Sequence, residues 1–124
     1  MIIKIDMASD VPIYEQLRNE IVKGIGRGEL SDGESLPSVR QLAEDLGVNN
    51  MTVSKAYQLL KAEGFLETDR RRGTVVRLEG KVPSGYRQEL KGELELLSAE
   101  AKIRGLKREE FIHLCETAFA GMEG

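Results

Sequence analysis

Apolar residues recur at four-residue spacing through Ile13, Leu17, Ile21 and Ile25, with Val22 beside them. That spacing predicts an amphipathic helix burying one face. Asp10, just ahead of Pro12, is its expected cap, with the proline in the first turn. The Gly-Ile-Gly-Arg-Gly run at 24–28 is expected to end it, and Ser-Asp-Gly-Glu at 31–34 is turn chemistry. Upstream, Ile3 and Ile5 flank Lys4 in alternation, the pattern of a short strand or an extended arm.

Two shorter periodic segments follow. Ser38 is placed to cap a helix over Val39–Leu46, with Gln41 as capping-box partner, and Gly47 closes it where a left-handed residue is wanted. Asn49 or Asn50 caps a second helix running to about Ala62, ended by Gly64. Val39, Leu42, Ala43, Leu46, Val48, Val53, Ala56, Tyr57 and Leu60 fall on inward faces, so two short helices cross steeply around one small core. Tyr57 belongs to that core with its hydroxyl expected at the surface. Phe65–Thr68 and Thr74–Leu78 are β-prone runs around an arginine-rich turn, the pattern of a hairpin.

Residues 81–86 read as a linker. Leu90, Leu94, Leu97 and Ala101 then stripe a helix of about 18 residues. Gly105 breaks it, and a second helix from Lys107 to about Ala120 carries Phe111, Ile112, Cys115, Ala118 and Phe119. The expected fold is mostly α with a small β-hairpin: a winged helix-turn-helix domain over residues 1–80 and a helical tail over 81–124.

Composition changes this picture little. The 124 residues are 40% hydrophobic and 31% charged, a globular balance. No apolar run approaches the roughly 20 residues that cross a bilayer, so no membrane partner is expected. The start, MIIKIDMASD, lacks the regions of a secretory signal. A single cysteine, Cys115, excludes an intramolecular disulfide and fits a cytoplasmic location.

The net charge of −3 at first argues against nucleic acid. Its distribution matters more: the one dense positive cluster is Arg70, Arg71 and Arg72, with Arg77 close behind. So modest a footprint suggests dimeric, sequence-directed DNA binding rather than wrapping by a basic surface.

Removing the buried positions from the second motif helix leaves Asn50, Met51, Thr52, Ser54, Lys55 and Gln58 outward. Asn and Gln amides can bond adenine edges twice, Ser and Thr can serve bases or phosphates, and Met can touch a thymine methyl. Lys55 and the helix N-terminus suit phosphate oxygens. Arg40, offset from the apolar stripe of the first motif helix, suits a phosphate. The arginine-tipped hairpin projects where a minor groove or backbone would lie, and Gly73 serves its turn. His113 and Cys115, two apart on a helix, do not face one another, and no further His or Cys exists, so neither metal nor cofactor is expected. No phosphate loop, nucleophile motif or paired carboxylates mark an enzyme.

These motifs resemble bacterial GntR family transcription regulators. The matching runs are PIYEQL at 12–17, GELSDGESLPSVRQLAEDLGV at 28–48, MTVSKAYQLLKAEGFL at 51–66 and RRGTVV at 71–76. The short tail is similar to the YtrA-type subfamily, in which two helices after the winged helix mediate dimerisation and regulated genes often encode ABC transporters. The resemblance implies DNA contact by Arg40, by Asn50, Met51, Thr52 and Ser54, and by Arg72 and Gly73. Relatives often carry arginines where Asn50 and Ser54 stand, a wing Gly-x-Gly-Thr whose first glycine is Arg71 here, and a serine where Lys107 stands. A different operator and a differently aimed wing are the implied consequences.

The expected function is a homodimeric regulator, a repressor, that binds an inverted-repeat DNA operator. The recognition helix at about 50–62 enters the major groove, and the wing at 70–73 meets the minor groove or backbone. Expected DNA contacts are Ser38, Arg40, Asn49, Asn50, Met51, Thr52, Ser54, Lys55, Arg70, Arg71, Arg72 and Gly73. Expected dimer contacts are Leu90, Leu94, Leu97, Ala101, Phe111, Cys115 and Phe119. Two alternatives stand beside this reading: a winged helix that binds an acidic protein partner, and a module sensing a small-molecule effector.

Overall fold

The computed structural model describes residues 3–123, which fold as two compact units, one ending at Leu78 and one over Glu79–Glu123. In the first unit, α1 spans Ile13–Gly26 and buries Leu17, Ile21 and Gly24. Asp10 does not cap it. Pro12 is the N-cap residue, its carbonyl accepting from Glu15 and Gln16 N–H at 3.1 Å each, and no side chain caps the helix. An N-cap side chain bonds amides two or three residues ahead, and Asp10 stands two residues too early for that. The segment before α1 is an extended arm and not a strand: Ile3 and Ile5 lie half-buried against the core. The Gln16 amide ties this arm down, accepting from Asp6 N–H at 2.8 Å and donating to the carbonyls of Asp6 (3.0 Å) and Val11 (2.8 Å). The glycine run ends the helix later than expected, because Gly24 and Ile25 remain helical and the left-handed turn falls at Gly28.

Helix α2 spans Val39–Leu46 and α3 spans Asn50–Ala62. Ser38 Oγ caps α2 by accepting from Gln41 N–H at 3.1 Å. The reciprocal half of the capping box is missing, because the Gln41 amide donates instead to Asp45 Oδ1 at 2.8 Å, one turn on. Gly47 ends α2 at φ +67°, the left-handed conformation glycine adopts most easily. Asn49, not Asn50, caps α3, its Oδ1 accepting from Met51 N–H at 2.7 Å. Arg18 on α1 reaches the end of α3: its Nε donates to Glu63 Oε1 at 3.0 Å, a second guanidinium nitrogen meets Oε2, and the Phe65 ring lies 6.0 Å away. The Glu63 hydrogen bond holds the guanidinium pKa above its ordinary value.

Strands β1 (Leu66–Asp69) and β2 (Gly73–Val76) pair antiparallel, Leu66 opposite Val76 and Asp69 opposite Gly73. Phe65 and Arg77 fall just outside the strands yet stay linked, Arg77 N–H donating to Phe65 O at 2.9 Å. The 31–34 turn leads into a third pairing partner that the sequence pattern does not show. Leu36 N–H donates to Thr74 O (2.8 Å), Val76 N–H to Glu34 O (2.9 Å) and Gly33 N–H to Val76 O (2.8 Å). Residues before α2 thereby fix the hairpin to the helices.

The core joins Leu17 and Ile21 of α1, Leu42 and Ala43 of α2, Val53, Ala56, Tyr57 and Leu60 of α3, and Leu66 and Val76 of the hairpin. Tyr57 goes deeper than expected. It is 2% exposed, its hydroxyl donates to Pro37 O at 2.8 Å, and burial pushes its pKa up to about 12.

In the second unit, α4 spans Tyr86–Ile103 and α5 Arg108–Ala120, with Gly105 at φ +91° between them. Glu110 accepts from Lys107 N–H at 3.5 Å at the start of α5. Neither helix buries a residue, and Cys115 is exposed. Two helices alone offer one another too little surface to enclose a side chain.

Candidate nucleic-acid interface

The exposed face of α3 is a shallow concavity lined by Asn49, Met51, Thr52, Ser54, Lys55 and Gln58. It exists because Val53, Ala56, Tyr57 and Leu60 take the opposite side of the helix into the core. Capping commits the Asn49 carbonyl oxygen, whereas Asn50, one residue later and exposed, keeps its amide free of any hydrogen bond among the described residues. Met51 is 77% exposed, an uncovered thioether at the mouth of the helix. Ser54 is half-buried and accepts a long 3.5 Å contact from Gln58 Nε2. Lys55 is partly spoken for, since its Nζ lies 4.0 Å from the centroid of the Tyr14 ring on α1. Arg40, on α2, is exposed, and among the described residues its guanidinium has no protein partner.

At the wing, Asp69 organises the turn. Its Oδ1 accepts from Arg71 N–H at 2.8 Å and Arg72 N–H at 3.0 Å, and these bonds hold its carboxyl below the ordinary range. Gly73 follows at φ +75°, with open space where a side chain would stand, so a residue other than glycine meets conformational strain there and no clash. The three arginines then part company. Arg72 turns back: its Nη1 donates to Gly33 O at 2.6 Å and its Nη2 lies 3.5 Å from Asp69 Oδ2. Arg70 and Arg71 are exposed, and their guanidinium groups have no partner among the described residues. Arg77 does not join the cluster, for Glu67 pairs with it at 3.1 Å.

One unit therefore carries the α3 face, Arg40 and the wing, while the tail residues lie in the other. There, Leu90 (38%), Leu94 (41%), Leu97 (53%) and Phe119 (70%) are exposed, as is Cys115, and Ala101 and Phe111 are half-buried. Leu96, Ile103 and Leu114 are exposed as well, outside the stripes read from spacing. The sequence reading also passed over Tyr14, Gly33 and Asp69. Asp69 had a signal, an aspartate opening a turn three residues before its neighbour's amide. The other two act only through tertiary contacts.

Among the described residues no cluster of His, Cys, Asp or Glu is arranged to hold a metal ion, and no helix is long and apolar enough to cross a membrane.

The model for bacterial regulatory proteins of the gntR family matches residues 12–76. The transcriptional repressor YtrA of Bacillus subtilis is 36% identical, the match covering 98% of this chain and 95% of that protein. A transcriptional antiterminator from Listeria monocytogenes superposes with a TM-score of 0.86 at 30% identity, over 100% of this chain and 95% of that one. YtrA from Sulfolobus acidocaldarius, a GntR-family transcription factor, gives a TM-score of 0.68 at 42% identity, over 80% and 99%. The DNA-binding domain of AraR, solved with operator ORX1, gives 0.54 at 25% identity, over 61% and 98%.

Proposed function

This chain belongs to the gntR family of bacterial DNA-binding transcription regulators, and we propose that it acts in the cytoplasm as a homodimeric repressor on an inverted-repeat operator. The observation that carries the reading is the assembly on one compact unit of an outward α3 face and two wing arginines unpaired among the described residues. Helix α3 fills a major groove, Arg70 and Arg71 meet the flanking minor groove or phosphates, and Arg40 meets a phosphate. The α2 N-terminus with its Ser38 cap and the Asn49 cap of α3 add backbone amides and hydroxyls that suit phosphate oxygens. Residues 1–80 serve as the DNA-binding domain.

Residues 81–124 serve as the dimerisation tail. Helices α4 and α5 bury nothing on their own while exposing Leu90, Leu94, Leu97 and Phe119, and a second copy is the cover that also matches a two-fold operator. The repressor role draws on the likeness to Bacillus subtilis YtrA, whose name states that activity.

The test is recovery of fragmented host genomic DNA bound to the full chain, followed by titration of the best fragment against salt. An enriched inverted repeat is expected. Arg40, Arg70 and Arg71 in two copies neutralise about six phosphates, for a log–log salt slope of about −5. No enriched repeat would overturn the reading, and a slope near zero would remove Arg40, Arg70 and Arg71 from the phosphate contacts.

A further inference from the structure

Guanine presents two acceptors, O6 and N7, on its major-groove edge, and one side chain satisfies both only by bringing two donors, as arginine and lysine do. Helix α3 carries no arginine. Of its two lysines, Lys61 sits in the last turn, away from the end that carries Asn50. Lys55 holds its ammonium over the Tyr14 ring at 4.0 Å, so reaching a base edge means giving up that contact. At the leading end stand a free carboxamide, Asn50, and a bare apolar side chain, Met51, beside the half-buried Thr52 and Ser54, whose single hydroxyls cannot span both guanine acceptors. A carboxamide offers one donor group and one acceptor. Against guanine its carbonyl would face another acceptor; against adenine it donates to N7 and accepts from N6–H.

From this we infer that the leading end of α3 reads an A·T pair, with Asn50 pairing bidentately to an adenine and Met51 covering a thymine methyl. The inference rests on the operator-binding reading above and specifies which half-site that operator contains. The neighbouring cap sharpens the assignment to one residue. Asn49 is held at the cap by the bond its Oδ1 accepts from Met51 N–H, so turning its amide to a base edge would cost the cap of α3, and the two adjacent asparagines are not equivalent.

Selection from a randomised duplex library with the full chain, run in parallel on wild type, Asn50→Ala and Asn50→Arg, tests this. Asn50 is exposed on the first helical turn, and circular dichroism checks that both variants fold. The wild type should enrich an inverted repeat. Asn50→Ala should lose preference at one A·T pair in each half-site and bind that repeat roughly ten- to a hundredfold more weakly per half-site. Asn50→Arg should move the preference at that same pair to G·C. An inverted repeat in which the pair lost by Asn50→Ala is G·C, or in which Asn50→Ala changes no position, would overturn the inference while leaving the operator reading intact. No repeat enriched by the wild type would overturn both.

Discussion

Tyr57→Phe removes one oxygen, and the structure gives its consequences a size. The hydroxyl links the middle of α3 to the carbonyl of Pro37, the residue just before the Ser38 cap of α2. Its loss forfeits a hydrogen bond worth about 1 kcal/mol net and leaves an acceptor short of a donor. Pro37 is itself exposed, so water recovers part of that deficit. A destabilisation of about 1–2 kcal/mol follows, a fall in melting temperature of roughly 5–10 °C for a unit of this size.

The same oxygen titrates. Burial pushes the Tyr57 pKa from 10.0 up to about 12. The raised value favours the protonated form in the folded state, so its contribution is fully present below pH 10. It is lost progressively between pH 10 and 12, where the unfolded chain ionises and the folded one does not. Urea unfolding followed by circular dichroism, at neutral pH and at steps from 9 to 12, measures both effects. The wild type should lose stability on that alkaline limb more steeply than the Phe variant, narrowing the gap between them. A variant within about 0.3 kcal/mol of wild type at neutral pH, with a parallel alkaline limb, would refute the buried, bonded hydroxyl.

Two further substitutions separate roles that sequence alone merges. Arg71→Ala should flatten the salt slope of DNA binding by about 2 for a dimer, whereas Arg72→Ala should weaken binding with the slope nearly unchanged, because Arg72 is engaged by Gly33 and Asp69; equal losses of slope in both would show that Arg72 also meets phosphate. Leu94→Asp, on the 41% exposed centre of the α4 stripe, should yield monomers by light scattering at micromolar concentration, and a persisting dimer would place the interface elsewhere.

What the sequence showed and what it hid divide by range. The Ser38 cap and the closures at Gly47 and Gly64 act within one or two turns of their own helices, so residue type and spacing reveal them, and they narrow the α3 cap to Asn49 or Asn50. The Ile13–Ile25 stripe is equally local. The pairing of residues 33–36 with β2 was invisible, because Ser-Asp-Gly-Glu carries turn chemistry and its partner stands about 40 residues on. The inward Tyr57 hydroxyl and the Arg72–Gly33 bond span 20 and 39 residues and leave no local mark. Asp10 misled because two oxygen-bearing or proline candidates lay within three residues of the helix start, and propensity does not choose between them. In the tail, four-residue spacing found Leu90, Leu94, Leu97 and Ala101 but passed over Leu96 and Ile103, which are exposed on α4 away from that stripe. Isolated apolar residues off the stripe follow no period that spacing could detect.

An acidic chain can present a DNA-binding face because its cations are not equally available. Glu63 takes Arg18, Glu67 takes Arg77, Asp69 and Gly33 take Arg72, and the Tyr14 ring takes Lys55. Each pairing fixes a helix end, a strand pair or the wing turn, and each withdraws a positive charge from general attraction to phosphate. On the proposed DNA-binding face, Arg40 of α2 and Arg70 and Arg71 of the wing turn have no such partners among the described residues. Few free cations on that face mean weak sequence-independent affinity, since that affinity scales with the number of phosphates neutralised. On the proposed reading, discrimination then falls to the outward side chains of α3, where a single carboxamide has an outsized share. The same pairings that hold the fold together thus bias the molecule toward specific sites over bulk DNA, and releasing any one of those cations should raise background binding before it raises operator affinity.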